Sequence, residues 1–216
     1  MPSATDQKRP VRIAGCSGGF TDRYLALTRM AGDPAVDAVI GDWLAEMTMV
    51  MHGSGKAKRQ AEASKQLDGD GDADRPSLEE RKKTAMYAET FMQCFEPCIE
   101  NLVKNGTKLC VNAGASDTEL LTEVVLQTLQ ERGAGHLKVS WISGDDVTPQ
   151  VRKLIEKGEK FESLMHGKAL EEFGADPICA QAYLGGLCIA EAFRDGADIV
   201  LCGRVADAAP VIGVAA

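Results

Sequence analysis

The segment TKLCVNAGASD, residues 107–117, places an apolar run directly before a turn that carries Asn, Gly and Asp. Four other segments repeat this layout: VRIAGCSGGFTD (11–22), VDAVIGDWLAE (36–46), LKVSWISGDDV (137–147) and ADIVLCGRVAD (197–207). A buried strand followed by a polar loop and a helix is the repeating unit of a parallel α/β sheet. The sequence therefore predicts an α/β fold, with a mostly parallel sheet of about five strands flanked by helices. Because open α/β sheets bind ligands at the carboxyl ends of their strands, we expect the five loops to converge on one site.

The composition changes at both ends of the chain and once inside it. Residues 1–10 are polar and are expected to form a disordered tail. Residues 53–77 contain almost no apolar side chain, which favours a mobile surface insertion. The remainder, residues 11–216, is expected to be one α/β domain. Its last stretch, GRVADAAPVIGVAA (203–216), is an apolar, helix-like segment that no polar residue terminates. We therefore expect the chain to be the front part of a longer, truncated domain.

Three helices matter for the site. A helix that follows the second strand is expected to end at Gly53. Ser77 and Glu80 match a capping box, which predicts the start of a long helix that continues to about Lys104. The segment ICAQAYLGGLCIAEAFRD (178–195) is typical of a largely buried helix.

Composition also narrows the class of partner. The chain has 24 basic and 32 acidic residues, and the net charge of -8 disfavours nucleic acid and anionic membranes as partners. The start lacks the apolar core of a signal peptide, and no apolar run reaches the roughly 18 residues of a membrane span. The seven dispersed cysteines indicate reduced, buried thiols and a cytoplasmic protein. We therefore expect a small-molecule ligand and allow for a homo-oligomer.

The first loop, GCSGGFTD (15–22), follows a strand and opens a helix. Ser17, Gly18 and Gly19 are small enough for backbone N–H groups to approach a phosphate or carboxylate at the helix N-terminus. The structural alternative is a tight turn in which glycine relieves strain. The loop matches neither the dinucleotide-binding pattern nor the Walker pattern.

Carboxylates follow two of the predicted strands. Asp42 and Glu46 are four residues apart, which predicts that they share one face of a helix. Together with Asp145 they are candidates to bind a divalent metal ion or to share acid–base work. The alternative for the first two is an N-cap aspartate followed by a favourable first-turn glutamate.

Two further strand ends carry polar side chains. Asn112 is a candidate to orient a carbonyl or carboxylate group. Arg204 lies just beyond the last strand, where its guanidinium can grip a ligand carboxylate or phosphate through two parallel hydrogen bonds. The alternative for Arg204 is an internal ion pair with Asp207 or with another acid at a strand end. The candidate substrate-binding residues are Ser17, Gly18, Gly19, Arg204 and Asp207.

These segments together resemble the acyclic terpene utilisation family of the AtuA type, formerly a domain of unknown function. The matching pieces, between about residues 11 and 209, are GCSGGFTD, GDWLAEMTM, NAGASD, SWISGDDV, AQAYLGGLCIAEAFRDGADIV and GRVADAA. Members commonly carry Asn where this chain has Gln181, and Gly where it has Ala115. The resemblance implies a longer protein with a smaller C-terminal domain. It also implies a link to the catabolism of citronellol- and geraniol-type isoprenoid acids, handled as CoA thioesters.

Three functional hypotheses follow. The first is an enzyme of isoprenoid or branched-chain acyl catabolism, of lyase, hydratase or hydrolase type, acting on a carboxylate or CoA-thioester substrate. In it, Arg204 and the 17–19 loop hold the anionic group, and Asn112 steadies a developing oxyanion. The candidate catalytic residues are Asp42, Glu46, Asn112 and Asp145. The second hypothesis is a non-catalytic partner or scaffold subunit for an acyl-CoA carboxylase-type enzyme, and the third is an inactive fragment. Strand-end residues that line one open pocket would favour the enzyme, whereas internal pairing and an exposed apolar patch would favour the partner subunit.

Overall fold

A computed structural model of the chain describes residues 9–20, 22–67, 76–174 and 176–216. Its five strands form one sheet in the order β1-β2-β3-β5-β4, and all neighbouring strands are parallel. The strands are β1 (Ile13–Gly18), β2 (Ala38–Asp42), β3 (Lys108–Val111), β4 (Val139–Ile142) and β5 (Ile199–Cys202). The predicted α/β fold class, with a parallel sheet of about five strands, is confirmed.

Helices cover both faces of this sheet. The α-helices are α1 (Ala26–Gly32), α2 (Glu46–Leu67), α3 (Leu78–Lys82), α4 (Glu89–Phe95), α5 (Ile99–Asn105), α6 (Thr118–Glu131), α7 (Thr148–Glu156), α8 (Leu187–Arg194) and α9 (Ala209–Ala215). Short 3-10 turns cover Glu96–Cys98 and Leu170–Phe173. None of the helices within the described ranges is long and apolar enough to span a membrane.

Alternate residues of the central strands enter different cores, because successive side chains of a strand point to opposite faces. Leu109 and Leu201 belong to the larger core, which packs against α1, α4, α5 and α6. Cys110 and Val200 belong to the smaller core, together with Ile189 of α8. Burial on both faces explains why these strands read as continuous apolar runs.

Helix α2 does not end at Gly53 as expected. It continues to Leu67, so residues 53–67 of the expected mobile insertion are helical, while residues 68–75 lie outside the described residues. The segment KAKRQAEASKQL (56–67) consists mainly of strong helix formers, which explains the continuation despite its polarity. At Gly53 the helix packs closely against a neighbour, because a Cβ there would lie 2.5 Å from Cys179 Sγ.

The capping box before α3 is confirmed, since the Ser77 side chain accepts from Glu80 N and the Glu80 side chain accepts from Ser77 N. The long helix expected behind it is wrong, because α3 ends at Lys82. The chain then turns toward the loop that follows β3. There Met86 N donates to the carboxylate of Asp117 at 2.8 Å. These backbone contacts with a distant loop replace the hydrogen bonds that a continuous helix would make.

The buried helix expected over 178–195 is shorter, because α8 covers only Leu187–Arg194. The segment before it runs beside the loop that follows β4. Ala182 N donates to Asp145 O at 2.8 Å, and Gln181 forms an antiparallel bridge with Asp146. Backbone pairing with this loop therefore replaces the first part of the predicted helix.

Two other expectations concern the tail and the cysteines. Residues 1–8 lie outside the described residues, and Arg9 forms an ion pair with Asp37. All seven cysteines are free thiols, in agreement with the sequence prediction. Cys188, expected to be buried, is exposed, because it lies on the outer face of helix α8, whose buried residues are Ile189 and Ala190.

A candidate active-site cleft at the carboxyl ends of β3 and β4

Two adjoining cavities lie where strands β3 and β4 end. The first chamber has a volume of about 460 Å³ and the second chamber about 410 Å³. Helix α2 and the loops that follow β3 and β4 contribute to the walls of both. We call the residues that line both chambers the waist of the cleft: Lys56, Ser116, Asp146 and Gln181.

The strand order explains why these two loops meet. Strand β5 lies between β3 and β4, so the loops that follow β3 and β4 are only two strand spacings apart. Gly114 N donates to Cys202 O at 2.9 Å, which fastens the β3 loop to the end of β5. Strands β1 and β4 are at opposite edges, four strand spacings or roughly 19 Å apart. The sequence pattern predicted that all five loops converge on one site. The strand order does not bring them together in that way.

Asp145 lies in the wall of the first chamber and is buried, with 8% of its surface exposed. Its Oδ2 accepts a hydrogen bond from Arg204 N at 2.8 Å. Burial raises the pKa of this carboxyl above its usual value. Of the four candidate catalytic residues, Asp145 is the one that lines the cleft.

The neighbouring residue, Asp146, belongs to the waist. Its Oδ2 accepts from Lys56 Nζ at 2.8 Å, and its Oδ1 accepts from Thr148 N at 3.1 Å. Partial burial acts to raise the pKa of Asp146, but these hydrogen bonds outweigh it and lower the pKa. Asp146 is therefore the charged partner of Lys56, next to an Asp145 whose burial favours its protonated form.

The loop that follows β3 presents Ser116 to both chambers. The residue before it, Ala115, has a φ of 46°, in the left-handed region that favours glycine. Ser116 Oγ is buried and has no hydrogen-bond partner among the residues that the structure describes. A buried hydroxyl without a partner is uncommon, because it loses its hydrogen bonds to water.

Asp117, which was not among the residues predicted for the site, also lines the first chamber. It occupies the N-cap position of α6 but makes no capping hydrogen bond with its side chain. Its carboxylate instead binds Arg59 of α2 at 2.6 Å and Met86 N at 2.8 Å. The first turn of α6 therefore borders the first chamber without a side-chain cap.

Arg204 lies outside the residues that line the two chambers and is 2% exposed. Its guanidinium donates to Leu44 O at 3.3 Å, to Asp207 Oδ1 at 3.2 Å and to Glu46 Oε1 at 3.4 Å. The internal ion pair, one of the two alternatives for Arg204, is therefore what the structure shows. Asp207 and Glu46 serve as partners of this arginine.

Tyr183 was not identified from the sequence. Its ring lies under the Arg204 guanidinium, 4.1 Å from Cζ to the ring centroid, and its hydroxyl donates to Glu46 Oε1 at 2.6 Å. The hydrogen bond from Tyr183 lowers the pKa of the Glu46 carboxyl. A single tyrosine in an apolar segment carries no local signal for this role, so only the structure reveals it.

Asn112 and Asp42 form a second internal cluster at the end of β2. Asn112 is fully buried; its Oδ1 accepts from Trp43 N at 2.6 Å and its Nδ2 donates to Asp42 Oδ1. This amide therefore holds the chain together and lies outside the residues that line the cleft. Asp42 is the last residue of β2 and Glu46 the first of α2, so the expected helical pair of carboxylates is wrong.

The sequence also suggested that Asp42 and Glu46 bind a divalent metal ion together with Asp145. Within the part of the chain that the structure describes, no three His, Cys, Asp or Glu side chains lie close enough to hold a metal ion. Asp42, Glu46 and Asp145 are thus not brought together as one set of ligands.

The first loop is occupied by the chain's own carboxylate. Ser17 Oγ lies within hydrogen-bond distance of Asp22 Oδ1 (2.9 Å), and Gly18 N donates to Asp22 Oδ2 at 3.1 Å. A Cβ at Gly18 or Gly19 would meet no atom within 4 Å, so packing does not require glycine there. Substrate contact by these three residues stays a prediction.

Comparison with known proteins identifies one family. The family model described as acyclic terpene utilisation family protein AtuA matches residues 11–216. No curated protein and no solved structure matches the chain. Because the matched segment includes both the sheet and the cleft, this chain belongs to the AtuA family of acyclic terpene utilisation proteins.

Proposed function

We propose that this protein is an enzyme of isoprenoid or branched-chain acyl catabolism that acts on a carboxylate or CoA-thioester substrate, by lyase, hydratase or hydrolase chemistry. Family membership supports the link to acyclic terpene utilisation. The observation that carries the enzymatic part is Asp145, a buried carboxyl in the cleft wall whose pKa burial raises.

Asp145 has the features of a general acid or base. A carboxyl with a raised pKa can give or take a proton closer to neutral pH than an exposed one. The hydrogen bond from Arg204 N holds Oδ2 in place at 2.8 Å. In this proposal the carboxyl of Asp145 exchanges the proton with the substrate.

The chambers match the size that such a substrate needs, and the second chamber also matches its charge. Their volumes of about 460 and 410 Å³ fall within the usual range of ligand sites, roughly 300–1,000 Å³. The first chamber contains the cations Lys56, Arg59 and Arg81, each paired with a carboxylate of the same chamber, and the second adds Arg152. In the second chamber Lys56 and Arg152 outnumber the one carboxylate, Asp146, which favours a carboxylate or the phosphates of a CoA thioester.

The test uses Asp145→Asn, with Asp195→Asn as the matched control in an exposed carboxylate outside the cleft. Purified protein is screened for thermal stabilisation by branched and isoprenoid acyl-CoA thioesters and by the free acids, and turnover of any binder is followed by mass spectrometry. We expect Asp145→Asn to lower turnover by about 10²–10⁴-fold while ligand-induced stabilisation remains. Equal turnover in Asp145→Asn and wild type would contradict the assignment of Asp145.

Two observations favour the second candidate, a non-catalytic partner subunit of an acyl-CoA carboxylase-type enzyme: Asp42, Asn112 and Arg204 pair internally, and apolar side chains on α2 are exposed. Met47, Val50 and Met51 are 74%, 62% and 65% exposed and share one face of α2. Exposed apolar side chains on one helix face are typical of a protein-binding surface. If this candidate holds, Met51→Glu should abolish co-elution with a purified acyl-CoA carboxylase on size exclusion, whereas Leu126→Glu on α6 should not.

A further inference from the structure

We propose that the waist of the cleft is an oxyanion-binding site, where Lys56 Nζ and Ser116 Oγ hold a phosphate or carboxylate group beside the first turn of α6. This site deepens the proposed function, since it lies in the same cleft as Asp145 and would position an anionic substrate. It differs from the Arg204 and 17–19 loop arrangement that the sequence suggested.

Ser116 provides the first observation. Its hydroxyl oxygen is buried, lacks a partner among the described residues, and belongs to a residue that lines both chambers. Its backbone is held in place, because Ser116 N donates to Met86 O at 3.0 Å. A hydroxyl without a partner among the described residues gains a hydrogen bond when an oxyanion binds beside it, since an unmade hydrogen bond is costly.

Lys56 provides the second observation. It is a cation that lines both chambers, and its side chain is 24% exposed, so a ligand can reach it. Its ion pair with Asp146 is only partly buried and is therefore easily exchanged. Asp146 keeps the hydrogen bond from Thr148 N when Lys56 turns to a ligand. Lys56 can therefore move to an oxyanion without leaving a buried carboxylate wholly unpaired.

Helix α6 provides the third observation. It has 14 residues, and its N-cap side chain is engaged elsewhere, with Arg59 and Met86. The N–H groups of a first helical turn have no partner within the helix, and the helix dipole favours an anion beside them. Thr118 and Glu119 of this turn line the first chamber next to Ser116.

Most carboxylates near the waist have a partner other than Lys56, and Asp146 keeps the hydrogen bond from Thr148 N. Asp117 is paired with Arg59 at 2.6 Å, and Glu123 is paired with Arg81. Asp145 accepts a hydrogen bond from Arg204 N at 2.8 Å. Glu119 is exposed, so water screens its charge. The donors at the waist therefore remain available to an oxyanion.

The experiment is an NMR titration of the ¹⁵N-labelled chain with inorganic phosphate and, separately, with acetate, at constant ionic strength set by chloride. We expect saturable shifts at the amides of Ser116, Thr118 and Glu119. Tighter binding of phosphate would identify a phosphate-bearing substrate, and tighter binding of acetate a free acid. Both results support the proposal.

Variants locate the site. Ser116→Ala should weaken binding about 3–10-fold, and Lys56→Met about tenfold or more, as expected for a neutral and a charge-assisted hydrogen bond. Ser54→Ala and Lys83→Met, which remove the same groups outside the cleft, should leave binding unchanged. Unchanged thermal unfolding midpoints show that the variants fold.

Three results would overturn the proposal: no saturable binding of either anion, shifts elsewhere than at the waist, or equal affinity in wild type, Ser116→Ala and Lys56→Met. Anion binding is measured without turnover. The oxyanion site can therefore fail while Asp145→Asn still abolishes activity, and it can hold while no acyl substrate is turned over.

Discussion

Gly203 and Asp145 approach so closely that a Cβ on residue 203 would lie 2.3 Å from Asp145 Oδ2. The contact joins the end of β5 to the loop after β4 and leaves room for the bond from Arg204 N to the same oxygen. Glycine at 203 is therefore a condition for the position of the candidate acid–base residue.

Gly203→Ala should displace Asp145 and lower both stability and activity. Forcing a methyl group into a filled space costs typically about 1–3 kcal/mol. Urea unfolding measures the free energy, and turnover of an acyl substrate measures the effect on the site. Gly15→Ala is the matched control, because a Cβ there meets nothing within 4 Å. An equal effect of both substitutions would show that the close contact is unimportant.

The raised pKa of Asp145 predicts a dependence of stability on pH. The folded state binds the Asp145 proton more tightly than the unfolded state, where the pKa is near the usual value of 3.8. This contribution is fully present below that value and is lost as pH rises through the higher folded pKa. Wild type should therefore lose stability relative to Asp145→Asn as pH rises from about 3.8.

Urea unfolding of wild type and Asp145→Asn at several pH values between 3 and 8 tests this expectation. Taking the difference removes the opposite contribution of carboxylates with lowered pKa, such as Asp37, whose pKa is held at about 2 by the hydrogen bond from Arg9. A difference that stays constant with pH, or that changes in the other direction, would exclude a raised pKa for Asp145.

Ala115→Gly should stabilise the protein. A φ of 46° is strained for alanine, and the left-handed conformation costs about 1–2 kcal/mol for a residue with a Cβ. Part of this gain is offset by the greater chain entropy of unfolded glycine, so we expect roughly 0.5–1 kcal/mol. Thermal unfolding measures the change. Ala113→Gly, in the same loop without a positive φ, should destabilise instead.

Arg204→Ala should destabilise the fold, because the guanidinium is buried and donates to Leu44 O, Glu46 and Asp207. Loss of these bonds and of packing against Tyr183 should cost about 2–4 kcal/mol. Chemical denaturation measures the cost, and Arg194→Ala, an exposed arginine, serves as the control. A fully stable Arg204→Ala variant with weakened substrate binding would instead restore Arg204 as a ligand-binding residue.

Local patterns predicted the strands well and the helices less well. The run IVLC of β5 is buried at all four positions, and a continuous apolar run of this kind is the mark of a central parallel strand. Helix α2 was expected to end at Gly53 because glycine often ends helices. Gly53 is instead a point of close packing against Cys179, which comes from a distant part of the chain.

The candidate site shows the same division. Asp145 could be proposed from its position after a strand, and the structure places it in a cleft wall. Lys56 could not be proposed from the sequence. It lies in a polar helical segment, and its contact with Asp146 in the loop after β4 depends on how α2 packs. Asn112 was assigned a catalytic role from its position at a strand end. Its side chain instead holds Trp43 N and Asp42.

The sequence by itself determined the class of fold, the five parallel strands and the family, because these depend on apolar periodicity and on local motifs. Only the tertiary structure decided which strand ends meet. The order β1-β2-β3-β5-β4 brings Ser116 and Asp145 to one cleft and leaves Ser17 at the other edge of the sheet. Strand order and helix packing arise from contacts between residues far apart in the chain, and no local pattern encodes them.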